Sequence, residues 1–308
     1  MSTLGFDTSN YTTSVAFTDG TTDKSVRQIL AVKEGERGIR QSDGVFQHMK
    51  LLPELFEKLD ADMKAVTAIG VSTRPRTVEG SYMPVFLAGR GYARVAAKTL
   101  GVPLYEFSHQ DGHIMAGIYS CGAFELLTKP FLSVHLSGGT TEILRSEYKG
   151  TNFENEILGG TKDMSAGQFI DRVGVRMGMR FPAGKELEQL ALSTDKAEKL
   201  PVSVDGTMVS FSGVETKTIQ LENKTDRGSL ALGVLECVRD TLVKAINNAI
   251  KETRLHDILI VGGVASNGIL RKGFAEGLDG TAYFAKPEYS TDNAVGIAYL
   301  AHLAHLQS

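Results

Sequence analysis

Two cysteines in 308 residues, Cys121 and Cys237, stand far apart without a C-x-x-C spacing. That excludes a disulfide framework and a thiolate metal site, and reads as reduced thiols in a cytosolic protein. An excess of charge of one sign is missing as well: 33 Lys and Arg against 36 Asp and Glu leave a net charge of −3. A protein basic throughout is thereby excluded, although a local basic face is not. No stretch approaches the roughly 18 uninterrupted apolar residues of a membrane span. The N-terminus has no basic segment leading into an apolar one, so the expected compartment is the cytoplasm and no membrane contact is expected. What remains, 42% hydrophobic and 22% charged residues, is ordinary for a globular protein. At this length two domains or lobes are the default.

The chemistry-bearing stretch is Ser108-His109-Gln110-Asp111-Gly112-His113. Histidines four apart on a helix stack on one face, about 5–6 Å apart at Cβ, as two ligands of one metal require. A surface or half-buried pair on a helix is the alternative. A strand over Val102 to Phe107 precedes the pair, and the carboxyl ends of strands are where open α/β sheets gather their chemistry.

Two hairpins frame this stretch. The first, Leu4 to Phe17, is a strand ending in Asp7, a hydroxyl-rich turn through Asn10, Tyr11 and Thr12, and a second strand; either its Asp suits a metal or a water and its turn a phosphate, or it is a polar hairpin with no ligand. The second, Phe131 to Leu144, repeats the design around Ser137-Gly138-Gly139-Thr140. Two β-turn-β units opening mixed strand and helix segments suggest an internal duplication, with a phosphate loop in each lobe. Between them the pattern predicts a helix over Gln47 to Leu59 with a kink at Pro53, a strand over Ala65 to Ser72, the turn Arg74-Pro75-Arg76 and a helix over Val85 to Leu100.

Further on, Asp163, Asp171 and Glu188 lie in or beside glycine-rich turns, suited to hydroxyls such as a ribose, or else to helix caps and solvated surface. Arg172, Arg176 and Arg180 form a basic stripe, read as a solvated face before a nucleic-acid contact. A strand over Asp257 to Val261 enters Gly262-Gly263-Val264-Ala265-Ser266-Asn267, where backbone can approach a ring or phosphate closely. Asp292 opens the terminal helix, Ala294 to Leu306, either as its N-cap or as a carboxylate ligand beside the two histidines.

In order, the motifs are the Asp7-Thr8-Ser9 hairpin, His109/His113, Ser137 to Thr141, Gly160 to Asp171, Phe181-Pro182-Ala183-Gly184, Val209 to Lys217, Gly262 to Asn267 and Ser290 to Ala294. Together, from Leu4 to about Ala301, they resemble the tRNA threonylcarbamoyladenosine transferase family, also called the glycoprotease or O-sialoglycoprotein endopeptidase family. The resemblance implies an α/β protein of the actin-like ATPase fold, in the company of sugar kinases, Hsp70, actin and ribonuclease H. Two similar lobes would surround a nucleotide cleft, residues 1–107 forming one and 108–291 the other, with the terminal helix 292–306 packing on the first. It implies one divalent metal, iron or zinc, on His109, His113 and Asp292, and catalytic roles for Asp7, Ser9 and Thr12. ATP or threonylcarbamoyl-adenylate would lie against Ser137, Gly138, Gly139 and Thr140, then Asp171, Gly184 and Glu188, and Gly262, Gly263 and Asn267. The implied reaction moves a threonylcarbamoyl group from the adenylate to the N6 amine of an adenosine in a tRNA anticodon loop, unstacked to be reached. The implied partners are tRNA and the other proteins of the modification complex, and a homodimer is compatible.

The chain departs from that pattern in five places, one of them the stretch around Glu79 to Pro84. Asn10-Tyr11-Thr12-Thr13 replaces acidic residues, Arg74-Pro75-Arg76 replaces G-P-G, Gln168 replaces a glutamate, and Thr140 replaces a histidine. A divergent paralogue, carbamoylating another nucleophile, hydrolysing ATP or serving as a binding partner, is the second expectation. Peptidase activity has no support, for neither H-E-x-x-H nor a nucleophile elbow occurs.

Overall fold

Alternating β-type runs and amphipathic stretches lead this chain into two sheets. The computed structural model describes residues 1–9, 11–32 and 39–308, so Asn10 of the first turn lies outside the described residues. Two units emerge: Met1–Phe124 with Tyr148–Glu154 and Thr291–Ser308, and Glu125–Glu147 with Asn155–Ser290.

In the first unit, strands β1 (Ser2–Thr8), β2 (Thr12–Thr18), β3 (Asp23–Ile29), β4 (Val66–Arg74) and β5 (Leu104–Ser108) form a sheet of order β3-β2-β1-β4-β5. β1 pairs antiparallel with β2 and parallel with β4, and β4 runs parallel to β5. Helices α1 (Gln41–Lys58), α2 (Phe86–Leu100), α3 (His109–Cys121) and the terminal helix (Val295–Leu306) cover it. Every residue of β1 is buried, which demands cover on both faces. Neighbouring residues show which helix lies where. The Thr8 hydroxyl donates to Val85 O at 3.0 Å and accepts from Gly89 N at 3.1 Å, at the start of α2, whereas Asp7 reaches His109 on α3. Since successive side chains of a strand point to opposite faces, α2 and α3 lie on opposite sides. Helix α1 begins six residues before the start read from the sequence and runs through Pro53.

The terminal helix sits unusually close to the sheet. Gly5 of β1 and Gly70 of β4 are register partners. A Cβ on Gly5 would stand 2.5 Å from Ala294 O, and one on Gly70 2.6 Å from Ile297 O. Gly5→Ala is therefore expected to push the helix outward at a cost of about 1–3 kcal/mol. A thermal unfolding midpoint unchanged from that of the parent chain would contradict this packing.

In the second unit, β6 (Phe131–Leu136), β7 (Thr141–Tyr148), β8 (Phe153–Thr161), β9 (Val204–Asp205), β10 (Met208–Val209), β11 (Asp257–Val261) and β12 (Thr281–Phe284) form a sheet of order β12-β11-β6-β7-β8-β10-β9. Helices α4 (Ala166–Arg176), α5 (Gly184–Ala191), α6 (Ser212–Leu221), α7 (Arg227–Thr253) and α8 (Gly268–Gly277) accompany it. The core gathers Leu132, Val134, Ile258 and Ile260 from the sheet with Val234, Leu242 and Ile246 from α7, and Phe169 stacks on Phe211 at 5.4 Å.

Set side by side, β3-β2-β1-β4-β5 and β8-β7-β6-β11-β12 are one topology: an antiparallel hairpin extended by a third strand on one side and two parallel strands on the other. The duplicated hairpins of the sequence open these two matching sheets. The units do not follow a cut after residue 107, because α3 packs on the terminal helix and belongs to the first unit. None of the described helices is long and apolar enough to cross a membrane.

Candidate metal centre and glycine-rich turns

β5 delivers the chain to Ser108, whose hydroxyl accepts from Asp111 N at 3.0 Å while the Asp111 carboxylate accepts from Ser108 N at 3.1 Å. This reciprocal cap starts α3 at His109. The Arg74-Pro75-Arg76-Thr77 turn clamps the same point: Gln110 N donates to Pro75 O at 3.0 Å, and the Thr77 hydroxyl to Asp111 Oδ2 at 3.0 Å. Burial pushes the Asp111 carboxyl up, against its hydrogen bonds to Ser108 and Thr77 and the nearby Arg74.

One turn apart on this helix, the His109 and His113 rings lie edge to face with centroids 4.4 Å apart. Their Nε2 atoms are 3.0 Å from each other, and Asp292 Oδ1 lies 3.2 Å from Nε2 of His113 and 3.5 Å from that of His109. With metal–ligand bonds of about 2.1 Å, the edges of an octahedral or tetrahedral site measure roughly 3.0–3.4 Å, so these three atoms fit one ion. Asp292 is not the helix cap, since Val295 N takes the Asn293 side chain at 3.0 Å and Ala294 N takes Ser14 Oγ at 2.9 Å. Its carboxylate is thus left to the histidines. The side chains are 19% (His109), 6% (His113) and 31% (Asp292) exposed, so the group is shielded yet reachable.

The surroundings orient these three side chains. Asp7 Oδ1 accepts from Nδ1 of His109 at 3.0 Å, which turns Nε2 towards Asp292, and the Ser72 hydroxyl donates to the same Asp7 oxygen. Thr12 donates to Asp292 Oδ2 at 3.1 Å. Asp7 and Thr12 thus touch the triad through its far atoms. Ser9 Oγ and Asp7 Oδ2 are buried with no hydrogen-bond partner among the described residues. Burial by itself would lower His109, but the charge of Asp7 and the bonds to Asp292 and Asp7 push it up to about 10. Asp292 is held well below the ordinary carboxylate range by His109 and His113, in spite of its burial.

The sign of this shift gives a test. The folded value of His109 lies above its ordinary 6.5. Its stabilising proton is therefore fully held below about pH 6.5 and is lost as pH rises through about 10. Protein stripped by a chelator is expected to show a falling thermal midpoint across that window. A flat profile would contradict the Asp7–His109–Asp292 arrangement.

His48 is the residue that the sequence reading overlooked. It is fully buried on α1, with Nδ1 2.8 Å from the Thr13 hydroxyl and Nε2 without a partner among the described residues, and burial lowers its pKa. The available signal was a histidine set among Gly44, Leu51, Leu52 and Leu55 on the helix's buried face.

The remaining candidates lie in the second unit: the Ser137 loop and the 262–267 turn at the carboxyl ends of the parallel strands β6 and β11, and Asp171, Gly184 and Glu188 on α4 and α5. Ser137 N donates to Thr140 O at 2.9 Å and Thr140 N to Ser137 Oγ at 3.1 Å, closing a tight loop. Gly138 O takes the Ser165 hydroxyl at 2.7 Å, which brings the loop to the N-terminus of α4, and a Cβ on Gly138 or Gly139 would meet open space. Gly262, at φ +102°, lies where a side chain would strike the Leu136 carbonyl, so the 262–267 turn lies beside the Ser137 loop. Asp171 accepts from Ala183 N at 2.8 Å, and burial pushes its carboxyl up. Glu188 Oε1 accepts from Gly268 N at 2.6 Å, and Asn267 Oδ1 caps α8 through Leu270 N at 3.1 Å. Asp171, Gly184, Glu188 and Asn267 are thus brought together around α5 and the start of α8. Of the basic stripe, Arg172 and Arg176 both pair with Glu215, at 3.3 and 3.6 Å.

Solved structures similar to this chain define the class first. The (R)-2-hydroxyglutaryl-CoA dehydratase component A of Acidaminococcus fermentans matches with a TM-score of 0.58 at 17% identity, covering 98% of each chain. A ROK family glucokinase from Streptomyces griseus matches with a TM-score of 0.54 at 12% identity, covering 99% of this chain and 100% of that one. The fold is that of the actin-like ATPases and sugar kinases. Among sequence relatives, a tRNA N6-adenosine threonylcarbamoyltransferase of Thermus thermophilus is 32% identical across 98% of this chain and 92% of its own. That of Christiangramia forsetii is 32% identical across 80% and 76%. The profile of the tRNA N6-adenosine threonylcarbamoyltransferase family matches residues 46–299, and the chain belongs to that family.

Proposed function

We propose that this chain transfers a threonylcarbamoyl group from threonylcarbamoyl-adenylate to the N6 amine of a tRNA adenosine. The observation that carries the reading is the convergence of His109 Nε2, His113 Nε2 and Asp292 Oδ1, braced by Asp7 and Thr12, in a member of this family. Those three residues would hold one iron or zinc ion, which when bound supplies a Lewis acid for an oxygen of the acyl donor. The chain's own part begins with Asp7, which keeps the His109 proton on Nδ1 and so leaves Nε2 free. The Ser137–Thr140 loop and the 262–267 turn offer backbone to the phosphate and adenine of the adenylate, and Asp171 and Glu188 offer carboxylates to its ribose. The amine nitrogen forms the new bond to the carbamoyl carbon. The carbon–oxygen bond to phosphate breaks, AMP leaves, and the amine loses one proton.

The test is to incubate metal-loaded protein with unmodified tRNA and threonylcarbamoyl-adenylate, with and without the other proteins of a modification complex. Nucleoside analysis should show modified adenosine, one AMP being released per group transferred. Unmodified tRNA, in conditions where the Thermus relative succeeds, sinks transfer to tRNA. A second reading, the same adenylate chemistry towards another acceptor, is favoured by the Arg74-Pro75-Arg76 turn clamped to the start of α3. It is expected to show as AMP release that tRNA does not stimulate.

A further inference from the structure

We infer that Arg271 is the positioning residue of the nucleotide site, an arginine that fixes the 262–267 turn by bridging it to the segment after β12. The inference rests on the reading of that turn as nucleotide-binding. Arg271 lies on the first turns of α8, four residues past Asn267. Its Nε donates to Ala265 O at 2.8 Å, its Nη2 donates to Ala285 O, and the guanidinium lies over the Phe284 ring at 5.2 Å from the centroid. Among the described residues it has no carboxylate partner. An arginine that is half-buried, has its charge disfavoured by that burial and pairs with no acid is not there as a surface ion pair. What it does hold is backbone: one carbonyl in the turn after β11 and one directly after β12, neighbouring parallel strands whose carboxyl ends are where ligands of such sheets bind.

The other side-chain anchors of the turn lie at its far end. Asn267 Oδ1 takes Leu270 N, and Glu188 Oε1 takes Gly268 N, so both fix the start of α8. The stretch from Gly262 to Ala265 has its own bonds from Ala265 N to Gly262 O and from Asn267 N to Val264 O, both at 3.1 Å, and buries Ala265 in the core, but among the described residues Arg271 is the side chain that hydrogen-bonds the Ala265 carbonyl. The planar fork of an arginine spans two carbonyls and stacks on a ring at once; a lysine reaches one of them as a point charge. A displacement of about 1 Å in a binding group can cost roughly a hundredfold. Losing the fork is therefore expected to weaken nucleotide binding while leaving the first unit's ligands untouched.

The experiment is calorimetric titration of AMP into the full chain and into Arg271→Met and Arg271→Lys, well below the melting temperature of the weakest variant, with bound metal measured in parallel. The expected result is a Kd raised about 10- to 100-fold in Arg271→Met, little rescue in Arg271→Lys, and unchanged metal content. A folded Arg271→Met with the parent Kd overturns the proposal, even if its melting temperature falls, because a merely structural arginine would lower stability alone. Should Arg271→Met fail to fold, Arg271→Lys decides: parent affinity overturns the proposal and weakened affinity supports it. If the unsubstituted chain does not bind AMP, the nucleotide reading itself falls, and the proposal with it.

Discussion

His113→Ala is expected to abolish metal binding, and with it transfer to tRNA, in a protein that still folds. His113 is the most buried of the three ligands, and its Nε2 faces both His109 Nε2, at 3.0 Å, and Asp292 Oδ1, at 3.2 Å. Without it two ligands remain, too few to compete with water for a divalent ion. Removing groups that merely orient ligands typically costs 10- to 100-fold in metal affinity or activity. Removing a ligand should exceed that, so a loss of at least about 100-fold in activity is the expected floor. The site lies at the edge of the first unit's core rather than within it, so the cost in stability should stay near that of a modest cavity, about 1–3 kcal/mol. Metal analysis after dialysis, together with a melting curve, checks both halves. Metal retained at the parent stoichiometry would place the ion elsewhere.

Asp7→Asn should weaken metal binding about 10- to 100-fold without removing any ligand. The carboxylate accepts from Nδ1 of His109 and so requires the proton there. An amide can turn its NH₂ group to the ring instead, moving the proton to Nε2, where it would occupy the position a metal needs. Ser72 and His109 share one Asp7 oxygen, so an NH₂ group turned to the ring would also face the Ser72 hydroxyl, which can rotate to accept from it. Competition with a chromogenic chelator reads the affinity. Asp7→Asn with the parent affinity would show that His109 does not depend on Asp7 for its tautomer.

Residue by residue, what the sequence disclosed follows the range of the interaction concerned. His109 and His113 were legible because their partnership is local: one helical turn, opened by a Ser108–Asp111 cap whose spacing is visible in the chain. Asp292 stands 179 residues from His113, and no local rule pairs them. Its two readings, cap or ligand, could be told apart only by seeing that the first N–H of the helix, on Val295, goes to Asn293 and not to Asp292. The Asp171, Glu188 and Asn267 group was visible as acids and amides near glycines, but the bond between Glu188 and Gly268 spans 80 positions. His48 escaped because a histidine among leucines reads as helix packing. The edge strand β3 escaped because Asp23 to Ile29 is mostly exposed and lacks an apolar alternation, so that only its pairing with β2 reveals it. Motif reading is equally blind to α7, 27 residues whose buried face carries packing rather than chemistry.

The terminal helix pressed onto Gly5 and Gly70 has a consequence for how the protein is made. Both histidines are synthesised within the first 113 residues, the third candidate ligand only at residue 292. A nascent chain, or one broken off before Asp292, can build β1, β4 and α3 but has no carboxylate to close the triad, and no helix to seat against the two glycines. The proposed ion would therefore be captured only by molecules whose synthesis has passed Asp292 and whose helix Val295–Leu306 has docked.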